Sequence, residues 1–224
     1  MRKQMRWMMA AGAVGMLMAT AAIFCAPAGY AQDTATPAGP AADKKQNTEA
    51  TMKGQDQFSA DFPANSHVRL YLCSSSVEIS GTNEEKIQVH FKAQHSEDIG
   101  HMRVSFKKKG DTGKLEISGC PHNNFEIELR IPQNSDLYMR MFAGDLNIRG
   151  VTGNKDVQIH AGDMSLALGD ASEYGSVELS VTVGDLDAGA FNVSKDGLFR
   201  SWHRYASGKY SLYAHVGAGD LTLQ

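Results

Sequence analysis

The segment Ala143–Ile148 (AGDLNI) decides the fold, because its pattern returns three times in the second half of the chain. The other copies are Ala161–Leu166 (AGDMSL), Val183–Ala188 (VGDLDA) and Ala218–Leu223 (AGDLTL). Each copy has a Gly-Asp pair followed by an apolar, a polar and an apolar residue. Glycine permits a positive φ and aspartate caps turned backbone, so each pair predicts a corner that leads into a short strand.

The spacing of the corners is typical of a coiled stack of strands. The four glycines are 18, 22 and 35 residues apart, and circuits of about 20 residues are what a β-solenoid or β-roll requires. The longest gap contains Phe199–Tyr205 (FRSWHRY), which is interpreted as an inserted loop or hairpin. The predicted structural corners are Gly144, Asp145, Gly162, Asp163, Gly184, Asp185, Gly219 and Asp220.

Upstream of the repeats, apolar and polar residues alternate. The alternation covers His67–Leu72, Lys86–Phe91, Met102–Phe106 and Phe125–Ile131, and a period of two predicts strands with one buried face. No stretch after residue 58 keeps a helical period. The sequence therefore predicts an all-β protein, in which a sheet-like cap (58–131) precedes a Gly-Asp repeat solenoid (132–224).

The first 57 residues have a different composition. Residues 1–31 combine a basic start with an apolar run, and small residues at Gly29 and Ala31 predict a secretory signal peptide that is cleaved after Ala31. An uncleaved anchor helix and, through Cys25, a lipoprotein are the alternatives. Residues 32–57 contain almost no large apolar side chain, so they are expected to be a disordered linker.

The repeat region resembles a bacterial family of exported β-solenoid domains, usually labelled putative adhesin. The resemblance rests on Ile131–Leu137 (IPQNSDL), on the first two Gly-Asp copies and on Gly208–Leu223. It covers roughly residues 58–224 and is strongest from 125 onward. The resemblance implies a stack of short strands in the cell envelope, and it brings no catalytic residues.

Charge excludes some classes of partner. The chain has 22 Lys and Arg against 25 Asp and Glu, and without residues 1–31 the count becomes 19 against 25, a net charge of −6. Nucleic-acid binding needs a basic surface that displaces counterions, so it is not expected. No stable membrane span is expected after removal of the signal.

Two cysteines remain after removal of the signal. In an exported protein the pair Cys73 and Cys120 predicts a disulfide. Two free thiols remain an alternative, as does a metal site completed by His122. That site would lack the usual ligand spacing of zinc centres.

Other candidate sites admit a structural interpretation beside a functional one. The four corner aspartates could bind Ca²⁺, but they lack the glycine pattern of calcium-stacked repeats. Lys107–Lys109 could touch an anionic group or end a strand in solvent. Trp202, Arg204 and Tyr205 form the best candidate contact surface, since aromatic residues and arginine dominate interfaces; alternatively they cover the end of the core.

The expected function is non-enzymatic. No Gly-x-Ser-x-Gly motif occurs, and pairs such as Glu126 and Glu128 alternate on a strand without indicating acid-base chemistry. No catalytic residue, cofactor or metal is predicted. We expect an exported protein of the periplasm or cell surface that offers a binding or scaffolding surface to a protein or glycan, with self-association as an option. The alternatives are a periplasmic structural or envelope-stress component and an enzyme with a polysaccharide groove.

Overall fold

The computed structural model describes residues 47–121 and 125–224, which form 18 β-strands and three short 3-10 helices. The strands of the first half are β1 Thr48–Lys53, β2 Gln57–Asp61, β3 His67–Leu72, β4 Ser76–Thr82, β5 Lys86–Ala93, β6 Arg103–Lys109, β7 Thr112–Ser118 and β8 Phe125–Pro132. Those of the second half are β9 Asp136–Ala143, β10 Leu146–Arg149, β11 Lys155–Ala161, β12 Met164–Leu166, β13 Tyr174–Val183, β14 Leu186–Ala188, β15 Val193–Lys195, β16 Leu198–Tyr205, β17 Tyr210–Ala218 and β18 Leu221–Leu223. The 3-10 helices are Ser96–His101, Ala171–Glu173 and Gly189–Phe191.

The strands form two nine-stranded mixed sheets. Sheet A has the order β1-β6-β7-β3-β9-β11-β17-β13-β16, and sheet B has the order β15-β14-β18-β12-β10-β4-β8-β5-β2. The centre of each sheet is parallel, and the outer pairs such as β1 with β6 and β13 with β16 are antiparallel. Strands paired in parallel cannot be joined by a tight hairpin, and here the chain crosses to the other sheet and returns.

The core lies between the two sheets. Alternate residues of each strand point inward, as in β9, where Leu137, Met139 and Met141 are buried. The buried residues of both sheets belong to one hydrophobic cluster. The alternation in the sequence therefore identified the buried face of these strands correctly, and the all-β prediction is confirmed.

The predicted β-solenoid is wrong. In a solenoid each circuit stacks on the preceding one. Here the last circuit, β17 and β18, is inserted between two earlier ones: β17 lies between β11 and β13 in sheet A, and β18 lies between β12 and β14 in sheet B. The predicted cap is not a separate layer either. Its strands continue both sheets, through β3 beside β9 and β4 beside β10. A repeat motif fixes each corner but not the order in which the circuits stack.

The predicted signal peptide lies outside the described residues, as does most of the predicted linker. Residues 48–53 of that linker form β1, which pairs with β6 along its whole length. Met52 is buried against the core and Ala50 is partly buried. Backbone hydrogen bonds to β6 therefore order this edge strand, which its side-chain composition did not predict.

Candidate binding surface

The Gly-Asp corners form a continuous ladder between the two sheets. The four corner glycines have φ values between 118° and 133°, which other residues adopt only with strain. Their backbone groups bond from circuit to circuit: Gly144 N donates to the Ala161 carbonyl at 2.9 Å and Gly162 N to the Ala218 carbonyl at 2.8 Å. A side chain at these positions would overlap the neighbouring circuit. Glycine is therefore required both for the turn and for the close approach of the circuits.

The corner aspartates cap the next circuit. Asp220 N donates to Asp163 Oδ1 and Asp185 N donates to Asp220 Oδ1, both at 2.9 Å, while Asp163 N lies 3.4 Å from Asp145 Oδ1. Each of these carboxylate oxygens satisfies a backbone donor that the corner would otherwise leave open. This arrangement gives the aspartates a structural role as caps.

One acidic cluster of the described residues has the geometry of metal ligands, and it lies elsewhere. Glu78, Glu126 and Glu128 meet on the outer face of sheet B. Lys92 contacts both Glu126 and Glu128, and Arg149 contacts Glu78. The hydrogen bond from Lys92 lowers the pKa of Glu128. These cations compensate the carboxylates, so the cluster is a surface ion-pair network.

Cys73 and Cys120 lie side by side. They follow β3 and β7, which are neighbours in sheet A, and their Cα atoms are 6.0 Å apart. This separation is within the range of disulfides. The pair is therefore able to form the predicted bond, while His122, the third ligand of the alternative metal site, lies outside the described residues.

The structure does not bring Trp202, Arg204 and Tyr205 onto one surface. Along β16, Trp202 and Arg204 point inward at the open end between the sheets, and Tyr205 points outward and is 77% exposed. The Trp202 ring packs on Phe191, with centroids 5.0 Å apart, and Arg204 lies over the same ring. Because strand residues alternate between faces, the first two cover the core and only Tyr205 is presented to solvent.

Lys107–Lys109 lies within β6, which is covered by the edge strand β1. Lys107 Nζ bonds Glu49 of β1 at 2.9 Å, and this hydrogen bond raises the pKa of Lys107. Lys107–Lys109 therefore does not lie at an open sheet edge, and Lys107 links β6 to β1.

The outer faces of the two sheets differ in aromatic content. Among the described strands, the outward face of sheet B has one ring, that of His90. Sheet A has many: its outward or exposed rings are Tyr71, Tyr138, Phe142, Phe199, Tyr205 and Tyr213, together with His67, His160, His203 and His215. Sequence reasoning missed this asymmetry because it depends on which strands lie in the same sheet.

A groove of about 530 Å³ runs over the middle of this face. We call it the Tyr138–Tyr213 groove, after the tyrosines on β9 and β17. Asp156 on β11 lies directly opposite both in the strand register. Arg140 Nη2 bonds both Asp156 carboxylate oxygens, at 2.8 and 2.9 Å, and its guanidinium lies 3.9 Å from the centre of the Tyr138 ring. Asp156, which lines the groove, is therefore held in place by a fixed ion pair.

One end of the groove is a chain of hydrogen bonds across four strands. His67 Nδ1 lies 3.1 Å from Asp136 Oδ2, and Asn154 Nδ2 donates to Asp136 Oδ1 at 3.0 Å. Asn154 Oδ1 in turn accepts from Ser211 N at 2.9 Å and from its hydroxyl at 3.0 Å. These side chains are held in place before any ligand arrives.

No family model matches the chain, and no curated protein matches it. Two solved structures are similar in fold at low identity. A putative cell adhesion protein from Clostridium sporogenes is 17% identical, with 75% of this chain and 97% of that protein covered and a TM-score of 0.46. A putative adhesin from Bacteroides fragilis is 12% identical, with 77% and 100% covered and a TM-score of 0.31.

None of the helices formed by the described residues has the length and hydropathy that a bilayer span needs.

Proposed function

We propose that this chain is a non-enzymatic, exported binding protein of the cell envelope that holds its ligand on the outer face of sheet A. The observation that carries the proposal is the concentration of outward aromatic rings on this sheet, compared with the polar outer face of sheet B. Exposure of aromatic side chains to water costs free energy, and such side chains are enriched where proteins bind partners. Export is supported by the composition of residues 1–31.

Binding suits this groove better than catalysis does. Asp136 and Asp156, two of the three carboxylates that line it, are engaged by His67, Asn154 and Arg140. A general acid or base needs a proton that it can exchange with a substrate, whereas carboxylates fixed in this way are suited to accept hydrogen bonds from a ligand. The groove is also partly open to solvent.

The test is binding to envelope fragments of the source organism. The fluorescently labelled protein is compared with the double variant Tyr138→Ala and Tyr213→Ala and with a matched double variant on sheet B, Asn147→Ala and Arg130→Ala. We expect the sheet A variant to bind at least about 10-fold more weakly, a loss of about 1.4 kcal/mol, and the sheet B variant to bind as the parent does. Equal binding by all three folded proteins would overturn the proposal.

Location is tested separately, by protease treatment of intact cells with a periplasmic protein as control. Cleavage on intact cells would support a surface-exposed adhesin-like role. Protection until the outer layer is opened would rule out adhesion to other surfaces and restrict the ligand to the inside of the envelope.

A further inference from the structure

We infer that the Tyr138–Tyr213 groove binds an uncharged, extended polysaccharide chain that lies across the strands. The inference rests on the proposed function, because it names the ligand class of the same face. It is carried by four features of the groove: the spacing of its two tyrosines, the open ring of Tyr213, its polar groups and its charge balance.

The spacing of the rings matches a repeating ligand. Tyr138 and Tyr213 are on strands separated only by β11, and each is opposite Asp156, so their attachment points are two strand spacings apart, about 9.6 Å. In an extended β-1,4-linked chain, each pyranose advances by nearly one strand spacing, and alternate sugars present the same face. Two sugars separated by one can therefore contact the two tyrosines, with the intervening sugar over the Arg140–Asp156 pair.

Tyr213 is the better placed of the two rings for this contact. Tyr138 already has the guanidinium groups of Arg69 and Arg140 within 5.2 and 3.9 Å of its ring centre. Tyr213 lines the groove on the other side, and among the described residues its ring makes no aromatic or cation contact. The negative face of such a ring attracts the polarised C–H groups of a sugar, much as it attracts the positive edge of another ring.

The polar groups suit sugar hydroxyls, each of which donates one hydrogen bond and accepts others. Asp156 and Glu178 offer acceptors, Arg69 offers guanidinium donors, and Ser176 offers both. A few fixed polar groups between apolar contact areas are the usual make-up of a small-molecule site. A purely apolar partner would leave these groups unpaired, at a cost in affinity.

The charges around the groove nearly cancel. Asp156 is neutralised by Arg140, and Asp136 is bonded by His67. Glu178 has no ion-pair partner among the described residues. Arg69 and the buried Lys155 line the same groove, so with Arg140 three cations match the three acids. No excess of positive charge favours an anionic chain, and the balance suits an uncharged one.

The experiment is titration calorimetry of the purified protein with three neutral β-1,4-linked hexamers, of glucose, N-acetylglucosamine and mannose, and with hexagalacturonate as the anionic probe. We expect at least one neutral hexamer to bind and hexagalacturonate to bind at least about 10-fold more weakly. Tyr213→Ala should weaken the neutral interaction at least about 10-fold. Tyr213→Phe, which keeps the ring, should stay within about threefold of the parent.

Phe142→Ala is the matched control, because Phe142 is 68% exposed on the same face and does not line the groove. It should leave binding unchanged. Absence of binding to every neutral hexamer, preference for hexagalacturonate, or equal binding by Tyr213→Ala would each overturn the inference. If envelope binding still depends on the two tyrosines, only the ligand class is wrong; if it does not, the proposed function fails as well.

Discussion

At the scale of single residues, Lys155 is the most unusual side chain of the described structure. It is 2% exposed, its ammonium group donates hydrogen bonds to the Tyr174 hydroxyl and, at 3.3 Å, to the Gly153 carbonyl, and it lies over the Tyr174 ring. Burial lowers its pKa from 10.5 to about 8, although Asp136 and Glu173 act in the opposite direction. Sequence analysis did not single it out. The alternation of β11 nevertheless indicates that Lys155 is buried, because it is two residues from Val157 and four from Ile159, which are both buried.

Replacement of Lys155 by methionine is predicted to stabilise the protein at neutral pH. Between pH 8 and 10.5 the unfolded chain binds more protons at this lysine than the folded chain, so the cost of burying it is complete at pH 7 and disappears above 10.5. The cost is about 3 kcal/mol, from which about 1 kcal/mol is subtracted for the bond lost by Tyr174.

The gain in the free energy of unfolding should therefore be about 2 kcal/mol at pH 7 and close to zero at pH 10. Urea unfolding at both values measures it. Burial also raises the pKa of Tyr174, which stays protonated throughout this range. The exposed Lys86→Met is the control. A gain that is the same at both pH values would show that burial does not shift the pKa of Lys155, and would contradict the prediction.

At the scale of elements, the Gly-Asp corner was the most informative pattern in the sequence. The positive φ at Gly144, Gly162, Gly184 and Gly219 could be read from the residue type, because glycine is the ordinary choice for such a turn. The sequence predicted that the aspartates cap turned backbone. It did not predict which backbone groups they cap, since each carboxylate accepts a hydrogen bond from another circuit. The strands with clear alternation were located well, for example β3 and β8, whereas β1 was missed because its order comes from backbone pairing.

Alanine at one corner should be far more harmful than alanine at a glycine in open space. At Gly162 the added methyl group would overlap the Gly144 carbonyl, and φ is 118°. We expect Gly162→Ala to lower the free energy of unfolding by more than about 2 kcal/mol. Gly100→Ala, where no atom lies within 4 Å of the added carbon, should change it by less than about 0.5 kcal/mol. Urea unfolding measures both changes. Similar losses of unfolding free energy in the two variants would mean that the ladder is not rigid.

At the scale of the whole molecule, the fold class could be predicted and the architecture could not. Period-two alternation reports which face of a strand is buried, and that was sufficient for an all-β protein. It does not report which strand lies beside which. The long connection through β15 and β16 allows β17 to return to the other side of β13, and the sequence pattern of residues 189–209 does not indicate this return. The aromatic face of sheet A, with the candidate binding groove, is a product of that arrangement and was hidden for the same reason.

The Cys73–Cys120 pair should stabilise the whole molecule, because it ties β3 to β7 across 47 residues of chain. Reduction is expected to lower the free energy of unfolding by about 2–4 kcal/mol, visible as a lower melting temperature in the presence of a reductant. The double variant Cys73→Ser and Cys120→Ser should melt at the temperature of the reduced protein and show no response to reductant. A parent protein that melts at one temperature in both conditions would indicate free thiols.

The central position of β17 and β18 also fixes when the protein can finish folding. Residues 210–223 follow β11 to β14 in the chain, yet their strands lie between those pairs. Until they arrive, β11 and β13 each lack a partner on one side. Contacts between distant residues form slowly, because the intervening loop must be closed first. Assembly of the repeat half therefore stays incomplete until residues 210–223 are available, which would suit the export proposed above. Protection of β11 and β13 before β17 in pulsed hydrogen exchange during refolding would contradict this order of assembly.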